Sequence, residues 1–529
     1  MATDRTRWQG FWRSPALRNT LVLLVAWEVI GRLKLVAGGA LPPVSDILVR
    51  LWADRADYPG HVAATVWSST LGFVIGNVLA VVAGVLFVLF PRLQRLARGV
   101  NIAIFALPAI AIAPILVLTL QGMAPRVVLA ALGVYFVTMT ATVVGLSQYD
   151  SRSADVVRAY GGSDWQVMKF VRLRGAVPDI LGGLRIAAPN AVLGAILAEF
   201  GGGGRWGLGT YLLGSLGRGE PARLWGIGLM ATLIAGLSYA VFALISARVL
   251  GSTRSVTLNT ALPPGDGDAN APLALRVAWA AAAAALPFVL WWAFIRLTGV
   301  PEMIAKTPWG VVDYLFFADA SGVARAKLGT ALLQTLPITA LGMVAGLGFA
   351  FLLAISSRMM PGFIRAFMPI ALVTQTMPLV ALTPLLVLML GRGISVTLWI
   401  TISVTFFPAF VLLVQGIQRV PQSVLDLPRA YGASAWKELR MVSIPAALPY
   451  LFAATRLTVP RALLGVMIAE WLATGTGLGN LLNQSRGYLD YGMIWTVASV
   501  SVLLSVAFYY LVLMVERRTL TRLGMQVVE

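Results

Sequence analysis

Cysteine is absent from this chain, and histidine occurs once, at His61. Without thiols there is no disulfide and no thiolate nucleophile, and one imidazole beside 22 acidic residues leaves no dedicated metal site. Charge is scarce too: Asp, Glu, Lys and Arg make up 12% of the residues, where soluble domains carry about 25%. So little charge excludes a soluble globule. The net charge of +19 resembles a nucleic-acid signal, but the arginines stand singly between apolar stretches and form no basic run. Nucleic acid is not an expected partner. No G-x-x-x-x-G-K-[ST] occurs, and the glycines of Gly201–Arg205 are followed by neither Lys nor Ser/Thr, so the chain has no phosphate-binding loop of its own.

What is abundant is apolar. Hydrophobic residues make up 58% of the 529, and the mean hydropathy is +0.81. A bilayer-spanning helix needs about 20 apolar residues. Such stretches centre on Leu24, Val78, Ala111, Leu132, Leu193 and Ile234, then on Ala285, Ala345, Leu379, Ile402, Leu464 and Leu503. The expectation is an all-α polytopic membrane protein of about 12 transmembrane helices in two parallel six-helix repeats. The first run resembles a signal peptide, but Glu28 interrupts it and Val277 to Phe294 is its counterpart in mid-chain, so it reads as a retained span.

The duplication is visible residue by residue. Arg158 to Glu199 aligns with Arg429 to Glu470 without a gap, identical at 16 of 42 positions, and the matches include Gly161 with Gly432, Trp165 with Trp436, Arg185 with Arg456 and Glu199 with Glu470. A shared apolar bias does not match arginine to arginine. Smaller anchors keep step as well: Thr65 with Thr335, Gly72 with Gly342, Gly76 with Gly346, Pro108 with Pro378. Between the halves lies a polar, Pro/Gly/Asp-rich segment that cannot pack a core. The expected organisation is a first domain over 1–250, a linker over 251–275 and a second domain over 276–529.

Orientation follows from the basic residues. Arg5, Arg7, Arg13 and Arg18 precede the first span, Arg92, Arg95 and Arg98 follow the second, and Arg517, Arg518 and Arg522 follow the last, which places both termini in the cytoplasm. The repeated stretch after the fourth span of each half lies on the same side. In it Val156, Ala159, Tyr160, Val167 and Val171 recur at threes and fours, as in short amphipathic helices at the membrane surface. Gly161 and Gly432 suit helix ends, with Ser163 and Ser434 capping the next helix.

Asp155-Val-Val-Arg-Ala-Tyr-Gly161 and Asp426-Leu-Pro-Arg-Ala-Tyr-Gly432 resemble the "EAA" loop of ABC importer permeases, and the wider wording resembles the nitrate, sulfonate and taurine branch. Asp replaces the family's Glu in both copies, and Arg174 stands where the second copy keeps the family proline as Pro445. The resemblance implies a type I importer permease (MetI-like) fold in a bacterial inner membrane, with two permease domains fused. It implies docking of two copies of a cytoplasmic ABC ATPase, which would hold ATP and Mg, and supply from an extracytoplasmic solute-binding protein. The chain itself would bind no cofactor and would not be an enzyme. The implied ATPase-coupling residues are Asp155, Arg158, Ala159, Tyr160, Gly161 and Trp165, with Asp426, Arg429, Ala430, Tyr431, Gly432 and Trp436.

Polar residues inside spans are costly unless they face a cavity or a neighbouring helix. The candidates for a substrate pathway are Tyr135, Thr138, Thr142, Thr374, Gln375, Thr376, Thr401, Thr405 and Arg461. For each threonine the alternative is a bond to its own helix's carbonyl. For Arg461 the alternative to attracting an oxyanion is snorkelling from near the cytoplasmic end. Glu199 and Glu470, ending their spans alike, suit a structural role. A 12-helix ion-coupled secondary transporter is the rival reading; it calls for intramembrane acids, which apart from Glu28 and this pair are missing. A membrane scaffold is a third.

Overall fold

The computed structural model describes residues 15–202, 204–250, 272–360, 362, 379–418 and 420–525, and these form helices and no strand. A chain in hydrocarbon must satisfy each backbone group within its own segment, which is what helices do. The expected linker lies almost wholly outside the described residues.

The first half runs α1 (Pro15–Arg32), α2 (Val44–Ala53), α3 (Tyr58–Leu89), α4 (Pro91–Ala106), α5 (Ala109–Thr119), α6 (Ala124–Ser147), α7 (Ser151–Ala159), α8 (Asp164–Val167), α9 (Leu173–Phe200), α10 (Leu208–Ser215) and α11 (Pro221–Leu250). The second half repeats the order as α12 (Leu273–Thr298), α13 (Pro308–Phe316), α14 (Ser321–Met359), α15 (Leu379–Leu390), α16 (Ile394–Gln418), α17 (Gln422–Ala430), α18 (Ala435–Glu438), α19 (Leu448–Ala469), α20 (Gly477–Gly487) and α21 (Tyr491–Arg522).

Nine helices among the described residues are long and apolar enough to cross a bilayer. The expected span around Ala111 is not one straight helix: α4 and α5 meet at 100°. Leu107 is extended (φ −62°, ψ 115°) and Pro108 has no N–H to continue the ladder, so the chain breaks there. α1 carries Glu28 and Arg32 toward its end and is not among the nine. Glu28 accepts from Ser45 N at 3.0 Å and from Arg32 at 2.8 Å, which ties the turn into α2 rather than placing a carboxylate in mid-membrane. The span expected around Leu379 is described only from that residue onward.

In each half the tightest seam is built from small residues. Gly72, Gly76, Ala80 and Gly84 recur every four residues on α3, and Gly342, Gly346, Ala350 and Ala354 do so on α14. A Cβ on Gly72 would sit 2.7 Å from the Val127 carbonyl of α6, and one on Gly84 would sit 2.7 Å from the Thr142 methyl. Without side chains to hold them apart the backbones close up, which is how helices associate where lipid removes the hydrophobic drive.

The halves interlock. One continuous core holds Ile110, Ile196 and Leu224 from the first half with Leu385, Leu463 and Met467 from the second. α11 packs on α15, while α12 and α21 pack on the bent pair α4–α5. The loops facing away from the repeated knobs are tied down alike. Trp27 and Trp225 donate to the carbonyls of Pro42 and Ala40, and Trp291 and Trp495 donate to those of Lys306 and Ile304. Arg223 adds a two-point bond to Asp54 at 2.8 Å and 2.8 Å, and this guanidinium holds the Asp54 carboxyl below the usual carboxylate range.

Candidate functional site

Each repeated stretch folds into a two-helix knob. In the first, Asp150 caps α7 by accepting from Arg152 N at 3.0 Å, and the helix stops at Tyr160. Gly161 then takes φ +80°, and its counterpart Gly432 takes +70°, a conformation in which a side chain is strained. Ser163 opens α8 with a capping box: its Oγ accepts from Gln166 N at 3.4 Å, and Gln166 Oε1 accepts from Ser163 N at 2.7 Å. Ser434 caps α18 by the hydroxyl bond alone, accepting from Lys437 N at 3.4 Å.

The structure gathers the twelve expected coupling residues on these two knobs. Ala154 and Leu425 anchor them inward, while Tyr160 is 90% and Tyr431 85% exposed, beside Trp165 and Trp436 at 57% and 50%. Asp155, Ala159, Asp426 and Ala430 are exposed as well. Arg158 lies 3.6 Å from Asp155 and 3.3 Å from Asp164. The second knob is braced harder. Arg429 donates to Glu438 at 2.7 Å and 3.2 Å, and Arg358 at the end of α14 meets the same carboxylate. Arg429 foremost, then Arg358, holds Glu438 below the usual glutamate range. The first knob has the buried Val167 where Glu438 stands, so this brace belongs to one copy alone.

From each knob the chain passes through a wider helical turn, Met168–Arg172 or Leu439–Ser443, into a long span. Those spans end on Glu199 and Glu470, both fully or almost fully buried. Glu199 accepts from Thr65 Oγ1 at 2.8 Å and from Gly209 N at 2.9 Å; Glu470 accepts from Thr335 Oγ1 at 2.7 Å and from Gly479 N at 2.9 Å. Each threonine hydroxyl in turn accepts from an amide in the first turn of the following short helix, Leu208 N at 2.9 Å and Leu478 N at 2.8 Å. The carboxylate thus clasps three elements: the end of α9 or α19, the helix α3 or α14, and the start of α10 or α20. Negative charge at a helix N-terminus is favourable. Gly207 and Gly477 give the clasp room, since a Cβ on either would run into the glutamate carboxyl. Arg126 Nη1 adds a charge 3.9 Å from Glu199. The corresponding position in the second half is the buried Val396.

The pathway candidates divide. Thr138 donates to Asn77 on α3, Thr142 to the Thr138 carbonyl, Thr401 to that of Thr397 and Thr405 to that of Thr401. All four are fully buried at the small-residue seam; Thr142, Thr401 and Thr405 make the bond to their own helix's carbonyl, whereas Thr138 reaches across to another helix. Tyr135 donates to Asn101 Oδ1 at 3.1 Å. Thr374, Gln375 and Thr376 lie outside the described residues. Arg461 stands at the middle of the span Leu448–Thr474, well away from the end that carries the knob, and no acceptor among the described residues binds its guanidinium. Arg185 and Arg456, matched in the repeat, both find partners within the helices. Arg185 stacks 4.4 Å from the Tyr239 ring, and the buried Arg456 lies 3.2 Å from Glu516.

Residue-by-residue reading missed the clasp threonines as site residues, although their constant spacing was the available signal. It missed Glu438, Arg358 and Arg126 because none of them repeats.

Paired helical repeats, each with a projecting knob joined by one span to a buried clasp at the far end, define a polytopic membrane transport component. The chain belongs to the family of binding-protein-dependent transport system inner membrane components, whose model matches residues 76–253 and again 346–521. It is similar to the riboflavin transport system permease protein RibX of Chloroflexus aurantiacus, 30% identical over 232 residues, which are 44% of this chain and 85% of that protein. It is also similar to the formylaminopyrimidine transport permease protein ThiX of Halalkalibacterium halodurans (26% identical; 38% of this chain, 78% of the relative). The taurine transport system permease protein TauC of Escherichia coli is 24% identical, over 45% of this chain and 86% of its own length. Each relative thus matches less than half of this chain, as one unit of a duplicated protein does. The chain is a multi-pass ABC transporter permease with two fused permease domains.

Proposed function

We propose that this chain is the complete transmembrane conduit of an ATP-driven importer, one polypeptide doing what two permease subunits otherwise do. Two copies of a cytoplasmic ABC ATPase, holding ATP and Mg, dock on the knobs, and a solute-binding protein delivers cargo to the clasp face. ATP hydrolysis belongs to that partner. The membrane is a bacterial inner membrane with both termini in the cytoplasm, in keeping with the arginine distribution. The observation that carries this reading is the pair of exposed aromatics, Tyr160 and Tyr431, each on a rigid capped turn. Aromatic anchors with a charged rim are what a protein groove selects.

We propose a small anion, such as a sulfonate, taurine or nitrate, as the cargo. Arg461 at mid-span supports this, since an unneutralised guanidinium there attracts an oxyanion in two-point geometry. The names of the relatives span riboflavin, formylaminopyrimidine and taurine, so the family leaves cargo open. The test is uptake by proteoliposomes containing the chain, its ATPase and its binding protein. ATP-dependent taurine or sulfonate uptake supports the proposal. Uptake that persists without ATP sinks it in favour of an ion-coupled carrier.

A further inference from the structure

A cavity of about 1430 Å³ that belongs to neither the knobs nor the clasps lies between the bent pair α4–α5, α12 and α21. Along α21 it reaches from Trp495 to Arg518, which at about 1.5 Å per residue is roughly the thickness of a bilayer. Its long walls are Phe, Leu, Ile and Ala. One end is closed by the stacked indoles of Trp291 and Trp495, 5.6 Å apart. The other end carries Arg95, Arg98, Arg517 and Arg518, and the lining holds five arginines and no carboxylate. Arg98 and Arg518 are exposed and meet no carboxylate among the described residues. In the wall formed by α12, Phe288 and Leu290 line the groove and are still 42% and 48% exposed, so the groove opens toward lipid, and Val289 beside them, 54% exposed, lies outside the lining.

We infer that this groove is a binding site for an anionic phospholipid, its acyl chains along the Ala283–Phe294 face of α12 and its phosphate between Arg98 and Arg518. An apolar trench calls for hydrocarbon, and a patch of arginines at its membrane-surface end calls for a negative headgroup. A transported solute fits poorly, because the middle of the trench offers it almost no hydrogen-bonding group. The site joins the halves: α4–α5 belong to the first, α12 and α21 to the second. The lipid would therefore act as a wedge at their junction.

The test is native mass spectrometry of the purified full-length chain, offered phosphatidylglycerol or phosphatidylcholine of the same acyl length. Phosphatidylglycerol should be retained preferentially. Arg98→Gln with Arg518→Gln should weaken its retention by roughly fivefold per arginine, in line with the usual worth of a basic residue near a lipid surface. Ala284→Trp fills the trench from an exposed position and leaves the arginines in place, and it should also lower retention. Inorganic phosphate alone should not displace the lipid. Equal retention of both lipids, or retention unchanged in both variants, overturns the inference. Displacement by taurine would make the trench a solute route and also overturn it; displacement by phosphate would reduce it to a simple anion patch.

Discussion

Thr65 donates a hydrogen bond of 2.8 Å to Glu199 across 134 residues of chain, and Thr335 repeats it to Glu470 at 2.7 Å. The same two groups thus fasten the far end of both long spans to a neighbouring helix and to the helix that follows. A knob pushed at one end of α9 or α19 would move a clasp at the other.

Removal of the Glu470 carboxylate leaves Gly479 N–H and the Thr335 hydroxyl buried without an acceptor. Glu470→Ala should destabilise the protein by about 1–3 kcal/mol. Glu470→Gln keeps an acceptor and should cost less. Thermal unfolding of the detergent-purified protein measures both, and equal midpoints for wild type and the Ala variant would refute the clasp.

Gly477 has φ +79° and faces the same carboxylate. Gly477→Ala brings backbone strain and a clash together, and should lower stability and uptake more than a substitution at Gly487, which has open space around it. Comparable losses at both positions would count against the geometry.

Tyr431 touches little in the free chain. Tyr431→Ala should leave the unfolding midpoint nearly unchanged while weakening ATPase association by about 30-fold or more, the worth of a hot-spot aromatic. Gly432→Trp and Trp436→Asp should abolish association with insertion intact. Co-purification that survives all three would remove the knob from the coupling scheme.

The Arg429–Glu438 pair makes a pH prediction. Because Glu438 is held below its ordinary value in the folded chain, the stabilisation is fully present above that ordinary value and is lost as pH falls through the lowered one. Wild-type stability should therefore decline with acid more steeply than that of Glu438→Gln, measured as unfolding midpoint from neutrality down through the carboxylate range. The corresponding variant at Val167 should show no such difference. Parallel acid profiles for wild type and Glu438→Gln would refute it.

Arg461 tests the cargo. Arg461→Lys keeps the charge but loses the planar fork, and should cut anion uptake by roughly tenfold to a hundredfold; Arg461→Met should do so while leaving the fold at least as stable. Unchanged taurine or sulfonate uptake in both variants would exclude a role in selecting the anion.

Much of this molecule was legible in one dimension. The membrane class followed from a shortage of charge, the duplication from matched arginines, tryptophans and glutamates, and the knob from Gly161 and Gly432 followed by Ser163 and Ser434. These are local properties: turn chemistry, helical spacing and apolar length act over a few residues and read directly off the chain. The assignments that needed tertiary structure concern partners. Among the pathway candidates, Thr142, Thr401 and Thr405 lie against Gly84, Gly342 and Gly346 of the neighbouring helix, and Thr138 bonds Asn77, contacts that no spacing along the chain foretells. The Ala111 span bends because Pro108 offers the ladder no donor, and Arg456 turns inward because Glu516 waits on α21. The amino-acid sequence by itself determined that there are two homologous helical domains in a membrane, and where each turns. Only packing decided that Glu199 meets Thr65 and that the halves interlock, because a buried charge takes its partner from whatever helix lies beside it, not from its neighbours in the chain.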